Sequence, residues 1–130
     1  SIVPTLNSVA TVTLPSSGSS EIFSNALLSF SLTRPAKVLL WVDIVTKMGC
    51  VFFPCTSFWK LFIYLNGNIT IGAREIPAVH NDPNLNSDSR SIGPIVLILN
   101  PGNYSIAFTG AAITGQPNVT IYPTAMILSD

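Results

Sequence analysis

The chain has 130 residues, of which 9% are Asp, Glu, Lys or Arg, where about 25% is usual for a soluble domain, and its six cations balance its six anions to zero net charge. That balance gives neither a nucleic-acid backbone nor an anionic membrane surface an electrostatic partner. No unbroken apolar run is longer than Ile95 to Leu99, far short of the roughly 20 residues of a membrane-spanning helix, so membrane insertion is not expected either.

Short segments rich in Val, Ile, Thr, Phe, Trp and Tyr recur between Gly, Pro, Asn and Ser clusters, the punctuation of strands and turns. In chain order they predict strands over Val9 to Leu14, Glu21 to Thr33 with a break near Asn25, Lys37 to Thr46, Phe58 to Leu65, Ile69 to Ala73, Ile95 to Leu99, Tyr104 to Thr109, and Val119 to Leu128 interrupted at Pro123. Between them, Asn66-Gly67 predicts a two-residue hairpin turn. Asn100-Pro101-Gly102-Asn103 predicts a type II turn joining two strands as a second hairpin. Residues 77 to 94 read as one long polar loop. The expectation is a single all-β domain over residues 1 to 130, an antiparallel β-sandwich, jelly-roll-like, of about eight strands. Scaling of folded surface with mass leaves roughly 6,700 Å² exposed out of about 20,000, enough burial for one core.

Two strands are apolar on both faces. In the Lys37 strand, Val38, Leu40, Val42 and Ile44 lie opposite Leu39, Trp41 and Val45; in the Phe58 strand, Trp59, Leu61, Ile63 and Leu65 lie opposite Phe58, Lys60, Phe62 and Tyr64. A solvated antiparallel strand alternates apolar with polar, so such strands are expected to be covered on both sides, by a second sheet and by a neighbouring subunit. The candidate subunit contacts are Val9, Val12, Leu14, Trp41, Phe52, Phe53 and Trp59. The rest of the surface is expected to rely on 26 Ser and Thr and ten Asn, which hydrate well and repel weakly.

Reactive groups are sparse. Cys50 and Cys55 are the only cysteines and His80 the only histidine, too few for a structural zinc site; the cysteines form either a small-loop disulfide, which the composition favours, or two thiols. Asp82, Asn84, Asn86 and Asp88 put oxygen ligands at alternate positions as a calcium loop does, but Ser87 and Gly93 stand where such a loop wants Gly and Glu, so an unliganded polar loop is the leading reading and no cofactor is expected. His80 is expected to be solvated, with no nucleophile elbow to make it part of a triad. Glu21, Asp43 and Glu75 are scattered over separate strands and form no catalytic pair. Asp43, if buried, needs Lys60 or Arg34; otherwise it is an outward charge at a subunit boundary. Asn68, Asn103 and Asn118 head Asn-x-Ser/Thr sequons, close to the number that chance predicts, and are candidates for glycosylation. The first residues lack the basic region and apolar core of a secretory signal.

The segments Leu32-Thr33-Arg34-Pro35-Ala36-Lys37-Val38-Leu39-Leu40, Leu61-Phe62-Ile63-Tyr64-Leu65-Asn66-Gly67, Leu97-Ile98-Leu99-Asn100-Pro101-Gly102-Asn103-Tyr104-Ser105-Ile106 and Val119-Thr120-Ile121-Tyr122-Pro123-Thr124-Ala125-Met126-Ile127-Leu128 together resemble the strand succession of jelly-roll heads of virion fibres, spikes and capsid decorations and of tumour-necrosis-factor-like trimers. The resemblance spans Leu27 to Leu128 and implies a two-sheet sandwich, commonly trimeric, that assembles or recognises and does no chemistry. The expected function is therefore a non-enzymatic structural subunit on a virion surface or outside the cell, with copies of itself, and other coat proteins, as partners. An alternative is an extracellular filament subunit whose residues 1 to 14 leave their own body and complete a neighbour's sheet, with Asn7 to Leu14 as the donated strand. A third reading is a carbohydrate-binding module.

Overall fold

A computed structural model describes residues 4–49, 52, 54–80 and 87–129. Within them lie ten strands: β1 (Thr5–Asn7), β2 (Ala10–Thr13), β3 (Glu21–Ile22), β4 (Leu28–Leu32), β5 (Ala36–Lys47), β6 (Cys55–Leu65), β7 (Asn68–His80), β8 (Ser87–Leu99), β9 (Gly102–Thr114) and β10 (Asn118–Ser129), with a 3-10 turn at Ser24–Ala26. They form two antiparallel sheets. In the first, β1 and β2 lie in succession along β10, followed by β5 and then β8. In the second, β3 and β4 lie in succession along β9, followed by β6 and then β7. Ten segments thus fill eight strand positions of a jelly-roll-like β-sandwich. No helix among the described residues is long and apolar enough to cross a membrane.

The period-2 pattern fixes which face looks inward. Val38, Leu40, Val42 and Ile44 of β5 are buried, as are Trp59, Leu61 and Ile63 of β6, and they meet Ile106, Phe108, Val119, Ile121 and Ala125 from the central strands β9 and β10. The opposite residues, Leu39, Trp41 and Val45 on β5 and Phe58, Lys60, Phe62 and Tyr64 on β6, are half-buried on the outer faces. The accessible surface is 7077 Å², near the roughly 6,700 Å² expected of a lone globular chain of this mass.

The Asn66-Gly67 hairpin forms as expected between β6 and β7. Asn66 has φ +51° and Gly67 φ +80°, the two left-handed residues of a primed turn whose twist matches the strands it joins. A Cβ on Gly67 would meet nothing within 4 Å, so only backbone strain opposes a side chain there. Gly67→Ala should cost about 1 kcal/mol in a denaturant titration, the left-handed penalty of a single residue.

Three expectations give way. The Asn100 to Asn103 segment is a turn between strands, but it does not make a hairpin: β8 pairs with β5 and β9 with β4 and β6, so the chain crosses the end of the sandwich from one sheet to the other. The crossing lets Leu99 and Ile106 both point into the core, and the Tyr104 hydroxyl closes the corner by donating to the Asn100 carbonyl at 2.6 Å. Much of the expected loop over residues 77 to 94 is strand, since β7 runs on to His80 and β8 starts at Ser87. Nor is β10 interrupted at Pro123, which pairs with Val42 on one side and accepts a hydrogen bond from Ser8 N at 3.1 Å on the other. The missing N–H of Pro123 falls where the edge is already broken between β1 and β2, so the ladder loses no bond to it. The N-terminal strands pair with β10 of their own chain, and Ala10 and Leu14 are buried in its core.

Candidate interaction surfaces

The outer face of the first sheet is built by register. Across it, Met126, Leu39 and Val96 form one row on β10, β5 and β8, and Leu128, Lys37 and Ile98 form the next. Trp41 and Thr124 make a third, and Tyr122 and Asp43 a fourth. Val96 is 52% exposed, Ile98 82% and Tyr122 45%, while Leu39, Trp41, Met126 and Leu128 are half-buried. The face is apolar over much of its width, interrupted by charged Lys37 and Asp43 and by polar Thr124 and Ser91. Asp43 is exposed and accepts a hydrogen bond from Ser91 Oγ at 2.7 Å across the β5–β8 pair, so it takes the outward position and neither Lys60 nor Arg34 is needed to neutralise it.

A β-bulge shapes this face. Val42 pairs with Ile92 and Leu40 with Ile95, so Trp41 alone stands opposite both Gly93 and Pro94. The extra residue reverses the alternation of β8. Ile92 before it and Ile95 and Leu97 after it therefore all pack towards the core, while Val96 and Ile98 are thrown outward.

At the far edge, Asn7, Ser8, Val9, Tyr122, Pro123 and Thr124 line a shallow groove of about 540 Å³, with Val9 50% exposed. On the second sheet, Ser29, Ser31, Asn66, Asn103 and Ser105 surround a neutral groove of about 450 Å³ beside the stacked rings of Phe30 and Tyr104, whose centroids are 5.6 Å apart. The side chains of this groove are largely committed to each other: Ser31 Oγ donates to Asn103 Oδ1 at 2.7 Å, Asn66 Nδ2 to the Asn103 carbonyl at 3.2 Å, and Ser105 N to Asn66 Oδ1 at 2.8 Å.

The expected contact residues are divided by the fold. Val9 and Phe52 are exposed, Phe52 by 83%, and Trp41 is half-buried on the outer face. Leu14 and Trp59, by contrast, are fully buried in the chain's own core, and Val12 packs against that core from partial exposure. Trp59 turns inward because its strand places odd positions between the sheets, where its indole donates to Thr46 Oγ1 at 3.2 Å and lies 6.1 Å from the Phe23 ring. Phe53 lies outside the described residues.

His80 is buried rather than solvated, because β7 extends to it; its Nε2 lies 3.1 Å from Ser57 Oγ on neighbouring β6. Cys55, its register partner, is disulfide-bonded, and the only other cysteine of the sequence, Cys50, lies outside the described residues. Of the calcium candidates, Asp82, Asn84 and Asn86 also lie outside them. Asp88 sits in β8, where one carboxylate oxygen accepts from Val79 N at 3.2 Å, linking the two edge strands, and lies 3.7 Å from Arg90. The sequons fall on strands: Asn68 is exposed at the start of β7, Asn103 is exposed in β9, and Asn118 opens β10 with its Nδ2 donating to Thr13 Oγ1 at 2.9 Å.

Neither a protein-family model nor a curated protein matches the chain. Among solved structures, a chain from "Structure of infectious bursal disease virus Gt strain" superposes on 98% of this chain with a TM-score of 0.51 and 12% identity. This chain spans only 33% of the length of that one. At such identity the likeness is one of fold, and it joins this sandwich to an all-β unit within a larger chain of a virus structure.

Proposed function

We propose that the chain is a non-enzymatic structural unit of a virion, working by assembly with copies of itself. The observation that carries this reading is the outer face of the first sheet, where Val96, Ile98 and Tyr122 are exposed beside half-buried Leu39, Trp41 and Met126 in a chain with 9% charge. Contiguous exposed apolar area of this kind marks an interaction surface. The likeness to a chain of a virus structure supports the virion setting. Under this reading the whole protein is a coat, decoration or spike component, placed on the virion surface.

Electron microscopy and sedimentation of the purified chain test it. Discrete closed oligomers or shells are the expected result. Open-ended filaments that vanish on deletion of residues 1 to 8 would transfer the chain to the donor-strand class, and a strict monomer that saturably binds a sugar would make it a carbohydrate module.

A further inference from the structure

The free edge of β8 is the second distinctive feature of the apolar face. Among the described residues β8 pairs only with β5, so alternate backbone N–H and C=O groups along it point away from the sheet. Edge strands normally carry charges, prolines or bulges that block further pairing. The first part of β8 has these devices in Asp88, Arg90, the Gly93 bulge and Pro94, whereas Ile95-Val96-Leu97-Ile98-Leu99 has none.

Resting on the assembly reading above, we infer that Ile95–Leu99 of β8 pairs antiparallel with the same segment of a second copy, about a two-fold axis at Leu97, joining two first sheets into one. Self-complementarity argues for this occupant. Centring the pair on Leu97 sets Val96 opposite Ile98 of the second copy and Ile95 opposite Leu99, so outward residues meet outward residues and inward meet inward. Val96 and Ile98 are also the most exposed apolar residues of this sheet, and the seam would cover both. It would continue the row Met126, Leu39, Val96 into Ile98 of the second copy, with no charged residue in either Ile95–Leu99 segment. Lys37, the nearest cation, lies one strand in from the seam, beside Ile98. The contact is isologous and closes on itself, as a two-fold element of a larger assembly must.

Sedimentation of the wild-type chain and of the Val96→Lys/Ile98→Lys double variant tests the inference, together with oxidative crosslinking of Val96→Cys and Ile98→Cys. The two lysines would face each other across the seam, and the dimer dissociation constant should rise by about 100-fold or more. Positions 96 and 98 would sit directly opposite, within disulfide reach, while each faces its own counterpart only diagonally. A mixture of the two cysteine variants should therefore crosslink about tenfold faster than either alone. Assembly unchanged by the lysines overturns the β8 seam and leaves the assembly reading standing. Equal crosslinking in mixed and separate samples overturns the register. A wild-type chain that remains monomeric up to about 1 mM overturns both readings. Should the lysine variant fail to fold, shown by loss of its circular dichroism, the crosslinking comparison decides.

Discussion

Trp59→Ala should remove about 3–5 kcal/mol of stability, a large part of the roughly 5–15 kcal/mol that holds a domain of this size together. Trp59 has no exposed surface, its ring packs against Phe23, and its N–H is the donor that satisfies Thr46 Oγ1 on the facing sheet. Truncation would leave a cavity between the sheets and a buried hydroxyl short of one partner. Both terms act in the same direction, and the second adds about 1 kcal/mol or more to the first. Because the bond runs from β6 to β5, the lost contact is one between layers, so unfolding should stay cooperative while its midpoint falls. Trp41→Ala provides the contrast. Trp41 lies half-buried on the outer face, so its truncation should cost under about 2 kcal/mol in the isolated chain and act mainly on self-association. Denaturant titrations of both variants, paired with sedimentation, separate the roles; equal stability losses would mean that the outer face belongs to the core of the lone chain.

The two tryptophans also mark how far the sequence could be read. Strand periodicity groups Trp59 with Leu61, Ile63 and Leu65 and Trp41 with Leu39 and Val45, and those groupings hold, but it makes both tryptophans candidates for a subunit contact. What periodicity lacks is a sign: where both faces are apolar, nothing local says which one the partner sheet takes. The sheets decide that through long-range pairing, and so Leu14 and Trp59 went to the core while Trp41 stayed outside. The same limit explains the Asn100 to Asn103 turn. Its residues dictate a reversal of direction, but whether the two strands then pair or part is settled by β5, β4 and β6, which claim β8 and β9 separately. The hairpin at Asn66-Gly67 was legible because its two left-handed residues and its register are one local event.

The candidate surface was legible in outline only. Low charge and doubly apolar strands pointed to a covered face, and the outer residues of β5 lie on it. The exposed members Val96 and Ile98 were unpredictable as such because their direction depends on a bulge that reverses the alternation within β8. Ser87 to Ser91, with three serines and two charges, read as loop because an edge strand at the sandwich rim is stabilised from one side and tolerates polar residues on both faces.

Gly93→Ala should be nearly as damaging as loss of the core tryptophan, at about 3 kcal/mol or more, although Gly93 is itself exposed. Its φ of +118° lies in a region that side-chain-bearing residues rarely enter, which alone costs about 1–3 kcal/mol. A Cβ there would stand 2.6 Å from the Leu40 carbonyl oxygen and 3.1 Å from Trp41 Cα, so it meets backbone that no rotamer change can move aside. Relief requires β8 to lift from β5 at the bulge. That lift would loosen the register which sends Ile95 and Leu97 inward and Val96 and Ile98 outward. The damage should thus be local as well as global: hydrogen exchange should speed most at residues 90 to 99 in Gly93→Ala, but across both sheets in Trp59→Ala. Since the proposed seam depends on which β8 residues face out, Gly93→Ala should also weaken self-association at temperatures where the chain remains folded. A variant that keeps wild-type stability and wild-type exchange in β8 would show that the bulge does not set this face.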